Sequence, residues 1–314
     1  MGGKPKLKDR ILHNEKWYIY KYVVALRHVE YYMNCAGGAK EILYSGIIST
    51  LYGNIYSLVI GKFYTSADLG VFNRGQNIAL LPPKVISSTF RKSTLPILSS
   101  VQDNKEHLTH VYRQYGILLS FISYPLVFMT IVLAKPFILL FLTSKWAEAI
   151  IYVQLFALTG LTIPMGVVSL NVLQATGRSD YTLRGEIIKK SVGFAVVALL
   201  CPISPMALAY GVLGIEAFIY GVNLYYARKV LDLPFFIQFK DPLPYFYASC
   251  ITGLCVWASI YLIPDNLLKL LIGSITGIAI YFLITKYIIK VKYYDYLLSV
   301  VKKREKRQNN YIEN

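Results

Sequence analysis

The chain has 314 residues, 55% of them hydrophobic and only 16% charged, and its 33 Lys and Arg against 17 Asp and Glu leave a net charge of +16. A soluble domain carries about 25% charged residues, so this composition excludes an ordinary globular enzyme and points to a membrane protein whose charges are kept to loops. A nucleic-acid binder is excluded as well, because Lys and Arg fall in short patches between long charge-free runs instead of along one soluble face.

A helix rising 1.5 Å per residue needs about 20 apolar residues to cross a hydrocarbon core of ~30 Å. Residues 1–40 do not meet this test. Their aromatic stretch from Trp17 holds Lys21, Arg27, His28 and Glu30, which suits a cytoplasmic or interfacial leader, and no signal-peptide pattern is present. The first span is residues 42–61, charge-free between Glu41 and Lys62. A weaker span follows over residues 76–100, with Lys84, Arg91 and Lys92 inside it. Residues 114–134 and 149–177 are again charge-free. From Ser191 to Ala227 the only charge is Glu216, and the break at Pro202 and Pro205 divides this run into two helices joined by a short turn. Residues 242–264 and 266–285 complete the set, and a basic tail ends the chain. The expected fold is all-α: a polytopic membrane helix bundle of about eight transmembrane helices.

Charge placement tests that count, since short cytoplasmic loops hold the Lys and Arg excess. Alternating the sides span by span puts 27 of the 33 Lys and Arg on one side. One missed helix would invert every later loop, so the split supports the count and places both termini in the cytoplasm.

The weak span carries the most informative residues. On a helix Asn77, Lys84, Ser87, Ser88 and Arg91 collect on one side, with Ile78, Leu81, Val85 and Ile86 mostly on the other. A cation facing lipid at mid-depth costs at least about 2.5 kcal/mol, so such a stripe turns toward a water-filled cavity or other helices. The alternative is a later helix start, with Lys84 snorkelling to the outer surface. Glu216 is the other mid-span charge, either a carrier of a coupling ion or a packing residue beside Asn223. Pro125 and Pro164 are expected to interrupt their spans. Enzyme chemistry finds no support: the four histidines lie outside the spans, the four cysteines form no metal spacing, and there is no P-loop. No cofactor, metal or catalytic residue is expected.

Several stretches resemble a known family. The run IYSLVIGKFYTSADLGVFNRGQ from Ile55 to Gln76, Trp146, SLNVLQATGRSD from Ser169 to Asp180, EIIKK from Glu186 to Lys190, and Leu95-Pro96 are similar in order and spacing to Wzx-type polysaccharide transporters of the MATE-like superfamily. The resemblance implies a fold of 14 helices, two six-helix lobes about a central cavity plus a final pair. Residues 1–40 would be the leader, 41–230 the C-terminal lobe, 231–290 the two additional helices and 291–314 the tail. Without its N-terminal lobe the chain would be a truncated or frame-shifted product, or half of a split protein. The implied function is flipping of lipid-linked oligosaccharide repeats across the bacterial plasma (inner) membrane for surface polysaccharide or O-antigen synthesis. The partners are an undecaprenyl-pyrophosphate-linked oligosaccharide and the bilayer, with a polysaccharide polymerase and glycosyltransferases as neighbours. Lys84, Arg91 and Asn77 would then hold the pyrophosphate headgroup. Arg74 would meet it on release or act as an interfacial anchor, and Glu216 is the coupling-ion candidate. A multidrug or cation antiporter and a non-transporting scaffold are the alternatives.

Overall fold

The computed structural model describes residues 55–56 and 58–289, and it divides the chain into a unit ending at Leu58 and one beginning at Val59. The expected span 42–61 falls mostly outside the described residues, and the leader and the tail from 291 fall wholly outside them. The helical bundle is the second unit.

Every described element is helical. Helix α1, Ser66–Ser100, opens on a capping box: the Thr65 hydroxyl accepts from Asp68 N–H while the Asp68 carboxylate accepts from Thr65 N–H. That cap starts the helix ten residues before the weak apolar span begins. Pro82, Pro83 and Pro96 all lie inside it. Helix α2, Lys105–Phe141, is capped by the Asn104 side chain and leads through a 3-10 turn, Ser144–Trp146, to α3, Ala149–Thr159. Helix α4 is Ile163–Ala175, α5 Ser179–Leu200, and α6 Pro205–Leu231. A short α7, Phe235–Lys240, precedes α8, Leu243–Ile260, and α9, Asn266–Leu283, which widens into a π-helical turn over Ile284–Ile288.

The connections are short, so successive crossings run antiparallel. Helix α1 lies on α3 and α4, α4 on α6, and α6 on α5; α2 carries α3 on one flank and α8 and α9 on the other. Five stretches are long and apolar enough to cross a membrane: α2, α3 with α4, α6, α7 with α8, and α9 with its π turn. Helices α1 and α5 fall short of that test by composition, because both carry charges along their length. All seven of the expected spans that lie among the described residues are helical. This is a multi-pass membrane bundle.

Two expectations about proline need correction. Pro125 does not interrupt its span, for α2 runs unbroken past it. A proline removes the N–H that the carbonyl four residues earlier would accept, and here the orphaned Phe121 oxygen accepts instead from the Tyr281 hydroxyl of α9 at 2.7 Å. Pro164 does not break a helix either. It sits in the first turn of α4, where its missing N–H costs nothing, and the break between α3 and α4 falls earlier, at Gly160–Thr162. Another sharp turn follows α4, where Gly177 takes a φ of 69° and Arg178 N–H reaches back to Leu173 O at 2.9 Å.

The bundle turns large apolar side chains outward and small ones inward. Leu254 and Trp257 of α8 and Ile275 and Ile278 of α9 are exposed, whereas Gly273 and Gly277 are buried. A Cβ on Gly277 would meet Met129 Sδ of α2 at 2.4 Å, and one on Gly273 would meet Leu133 at 2.8 Å. Small residues four apart let two helices approach closely where lipid supplies no hydrophobic drive between them.

Candidate functional site

The candidate residues on α1 share one open face. Asn77, Lys84, Ser88 and Arg91 are all exposed. Asn77, Lys84 and Arg91 follow at seven-residue steps, two turns or about 10.5 Å each, so they form a nearly straight row. The opposite side of α1 buries Phe72, Gly75, Ala79, Pro83, Thr94 and Leu98. Gly75 sets the distance there, since a Cβ on it would come within 2.4 Å of Tyr152 Cβ on α3.

This burial pattern corrects the expected division of the helix. Leu81 and Val85 are not hidden behind the polar stripe but exposed beside Lys84, at 64% and 58%. Gly75, Ala79 and Pro83 are the smaller side chains, and they take the close contact with α3 and α4 instead. Depth also differs from expectation. Lys84 lies not eight residues into its helix but eighteen, at the centre of 35.

The cations of the row are chemically available. Among the described residues, no carboxylate forms an ion pair with Lys84 or Arg91. The neighbouring hydroxyls turn inward: Ser88 and Thr89 both donate to Val85 O at 2.9 Å. The backbone carbonyl of Arg91 accepts from Asn171 Nδ2 at 3.2 Å, which ties α1 to α4 at that level. Arg74, one turn before Asn77, stands apart from the row's chemistry. Its guanidinium lies 4.9 Å from the ring centroid of Trp146, a cation–π contact that fixes its direction.

A second polar site lies between α5 and α6. Lys189 is 5% exposed. Its ammonium is 2.5 Å from Glu186 Oε1, on its own helix, and donates to Asn223 Oδ1 of α6 at 3.2 Å. Glu186 also lies 4.0 Å from Lys190. Glu216 is partly buried on α6, two turns before Asn223. By sequence Lys189 belongs to a cytoplasmic loop, and the structure places it instead in the middle of α5. The available signal was the Glu186–Lys189 and Glu186–Lys190 spacing, three and four residues, which is the spacing of ion pairs on a helix.

A third network holds the end of the bundle where α7 turns into α8. The buried Tyr112 hydroxyl lies 3.0 Å from Ser169 Oγ and donates to Gln238 Oε1 at 2.9 Å. Next to it Arg113 holds Asp241 in a two-pronged pair, at 2.7 and 2.9 Å. These contacts position α7 and do not line the α1 row.

Comparison with known proteins finds similarity over part of the chain. Residues 17–151 match the model of the family described as polysaccharide biosynthesis protein. Over this stretch the chain is similar to that family. The matched stretch contains the whole of α1 and α2. The lipopolysaccharide biosynthesis protein WzxC of Escherichia coli (strain K12) is 24% identical over 46% of this chain and 29% of its own length. The teichuronic acid biosynthesis protein TuaB of Bacillus subtilis (strain 168) is 22% identical over 67% of this chain and 43% of its own. An uncharacterised membrane protein of the cps region of Klebsiella pneumoniae is 24% identical over 48% of this chain and 32% of its own. The chain thus spans less than half the length of the curated relatives it matches. Among solved structures, lipid II flippase MurJ in an inward closed conformation shares the fold with a TM-score of 0.60 at 14% identity, covering 80% of this chain and 55% of that one. The protein is a multi-pass membrane protein with a MurJ-like fold.

Proposed function

We propose that this protein supplies one lobe of a transporter that flips lipid-linked oligosaccharide repeats across the bacterial plasma membrane, with both termini cytoplasmic. On this reading residues 41–230 form the lobe and 231–290 the two additional helices. The observation that carries it is the row Asn77, Lys84, Arg91: polar and cationic, exposed, and at the middle of a helix in a membrane bundle.

A pyrophosphate-linked sugar loses strong hydration when its headgroup enters an apolar layer, while its lipid tail stays in the bilayer. Cations without a carboxylate partner replace that hydration. Arg91 can grip phosphate oxygens through two N–H donors at once, and Lys84 adds a compact charge two turns away. Leu81 and Val85, exposed beside Lys84, give the same face an apolar strip for the tail. Arg74 stacks on Trp146 and serves best as an anchor for the start of α1.

The cation-antiporter alternative asks for an open mid-helix carboxylate. Glu216 fits that poorly, because it is partly buried on α6. We assign Glu216 the coupling ion instead. The test is to express Lys84→Ala and Arg91→Ala in the complete transporter. Each is expected to abolish surface polysaccharide without lowering the amount of protein in the membrane. Normal polysaccharide in both variants contradicts the proposal.

A further inference from the structure

We infer that one end of the bundle, where α5 begins and α6 ends, holds a binding site for an anionic diacyl phospholipid, built by Arg178, Tyr181, Tyr225 and Lys229. The inference needs only a membrane-spanning bundle and stands apart from the transport reading above.

Two helices bring cations to one aromatic cluster. Tyr181 of α5 stacks on Tyr226 of α6 with ring centroids 5.4 Å apart, and Tyr225 meets Tyr226 edge-on at 5.3 Å. Lys229 Nζ lies 4.7 Å from the Tyr225 centroid, 5.8 Å from that of Tyr181 and 5.9 Å from that of Tyr226. The Arg178 guanidinium lies 4.3 Å from the same Tyr181 centroid, so the two cations are at most about 10 Å apart. Contact with ring faces gives each long side chain a preferred direction. A cation that only snorkels to water has no such hold.

The cluster holds more positive charge than the protein neutralises. Among the described residues Asp180 pairs with Arg178 at 3.6 Å, and no carboxylate pairs with Lys229, Arg184 or Arg228. All three of those cations are exposed. Glu186, the next carboxylate along α5, is already engaged by Lys189 and Lys190. A guanidinium has five N–H donors, so Asp180 and the Tyr181 hydroxyl leave Arg178 able to serve a further acceptor.

Position and shape select a lipid over a free anion. Arg178 stands at the N-cap of α5 and Lys229 two residues from the end of α6, so both lie at the level where Tyr, Lys and Arg meet phospholipid headgroups. From Lys229 toward the middle of the membrane, one side of α6 presents Tyr225, Gly221, Phe218 and Gly214, at steps of three and four residues. Tyr225 and Phe218 are 48% and 39% exposed, and a Cβ on Gly221 or Gly214 would meet nothing within 4 Å. This is an open apolar strip about 16 Å long, notched at its two glycines. A phosphodiester seated on Arg178 and Lys229 gains charge-assisted hydrogen bonds, and one of its acyl chains then follows the strip. A zwitterionic headgroup brings its own cation beside Lys229 and loses that gain.

The test uses the purified full chain in detergent and reads the thermal unfolding midpoint against added phosphatidylglycerol, phosphatidylcholine or glycerol phosphate. Phosphatidylglycerol is expected to raise the wild-type midpoint saturably, and the other two to leave it unchanged. Lys229→Gln and Arg178→Gln are each expected to raise the half-maximal phosphatidylglycerol concentration about fivefold, the effect of one basic residue at an anionic headgroup. Lys240→Gln, which removes an exposed cation from the helix that follows α6, is expected to leave it unchanged. An equal rise with phosphatidylcholine, a rise with glycerol phosphate alone, or an equal weakening by Lys240→Gln overturns the inference. Should the Lys229 and Arg178 variants fail to fold, Gly221→Leu decides, because it fills the strip and alters no charge: a higher half-maximal concentration supports the inference, and an unchanged one overturns it. None of these readouts needs flipping, so failure here is distinct from failure of the transport reading.

Discussion

Gly75 shows how one side chain sets the geometry of the candidate site. With 2.4 Å between its would-be Cβ and Tyr152 Cβ, even a methyl group pushes α1 off α3 and shifts the row on the far side of the helix. Gly75→Ala is expected to destabilise the protein by about 1–3 kcal/mol, the usual cost of overpacking, read as a lower thermal midpoint in detergent. Gly214 is the control. A Cβ there meets nothing within 4 Å, so Gly214→Ala is expected to leave the midpoint unchanged or raise it by up to about 1 kcal/mol, the helix preference of Ala over Gly. Lys84 and Arg91 were legible in the sequence because a cation inside an apolar run stands out against it. Lys189 was not, because it follows Arg178, Arg184 and Glu186 and reads as one more loop charge. Only its helical spacing to Glu186 set it apart, and burial by α6 depends on a neighbour that local sequence does not reveal.

Among the helices, proline chemistry is the clearest case of one element completing another. Pro125 leaves Phe121 O without its helical partner, and Tyr281 of α9 supplies the missing donor. Tyr281→Phe is expected to cost about 1 kcal/mol, the net worth of one such bond with its acceptor left buried. Pro125→Ala restores the helical N–H, so in that background Tyr281→Phe should cost close to nothing. A double-mutant cycle of thermal midpoints checks this, and equal losses in both backgrounds would show that the hydroxyl acts elsewhere. Span positions were readable because charge-free length is a physical requirement of the bilayer. The start of α1 was not. Its signal, Thr65 three residues before Asp68, is a cap that works equally well on a polar helix end, so an apolar count passes over it.

At the scale of the molecule, the described helices form two groups around α2: α1 and α3–α6 on one flank, α8 and α9 on the other, with α7 latched at the bend by Tyr112 and Arg113. The row on α1 is left uncovered among the described residues. The chain covers 55% of the length of the structure it resembles and less of its curated relatives. The polar cluster of Lys189, Glu186 and Asn223 lies on other helices, α5 and α6, apart from that row. The most direct measurement is headgroup translocation in proteoliposomes that hold an undecaprenyl-pyrophosphate-linked oligosaccharide and the complete transporter, scored by the fraction reached by an external glycan-modifying enzyme. The wild type is expected to translocate the headgroup, and the Lys84→Ala/Arg91→Ala double variant to lose translocation at equal reconstitution. Equal translocation by the two proteins would contradict the headgroup role of the row.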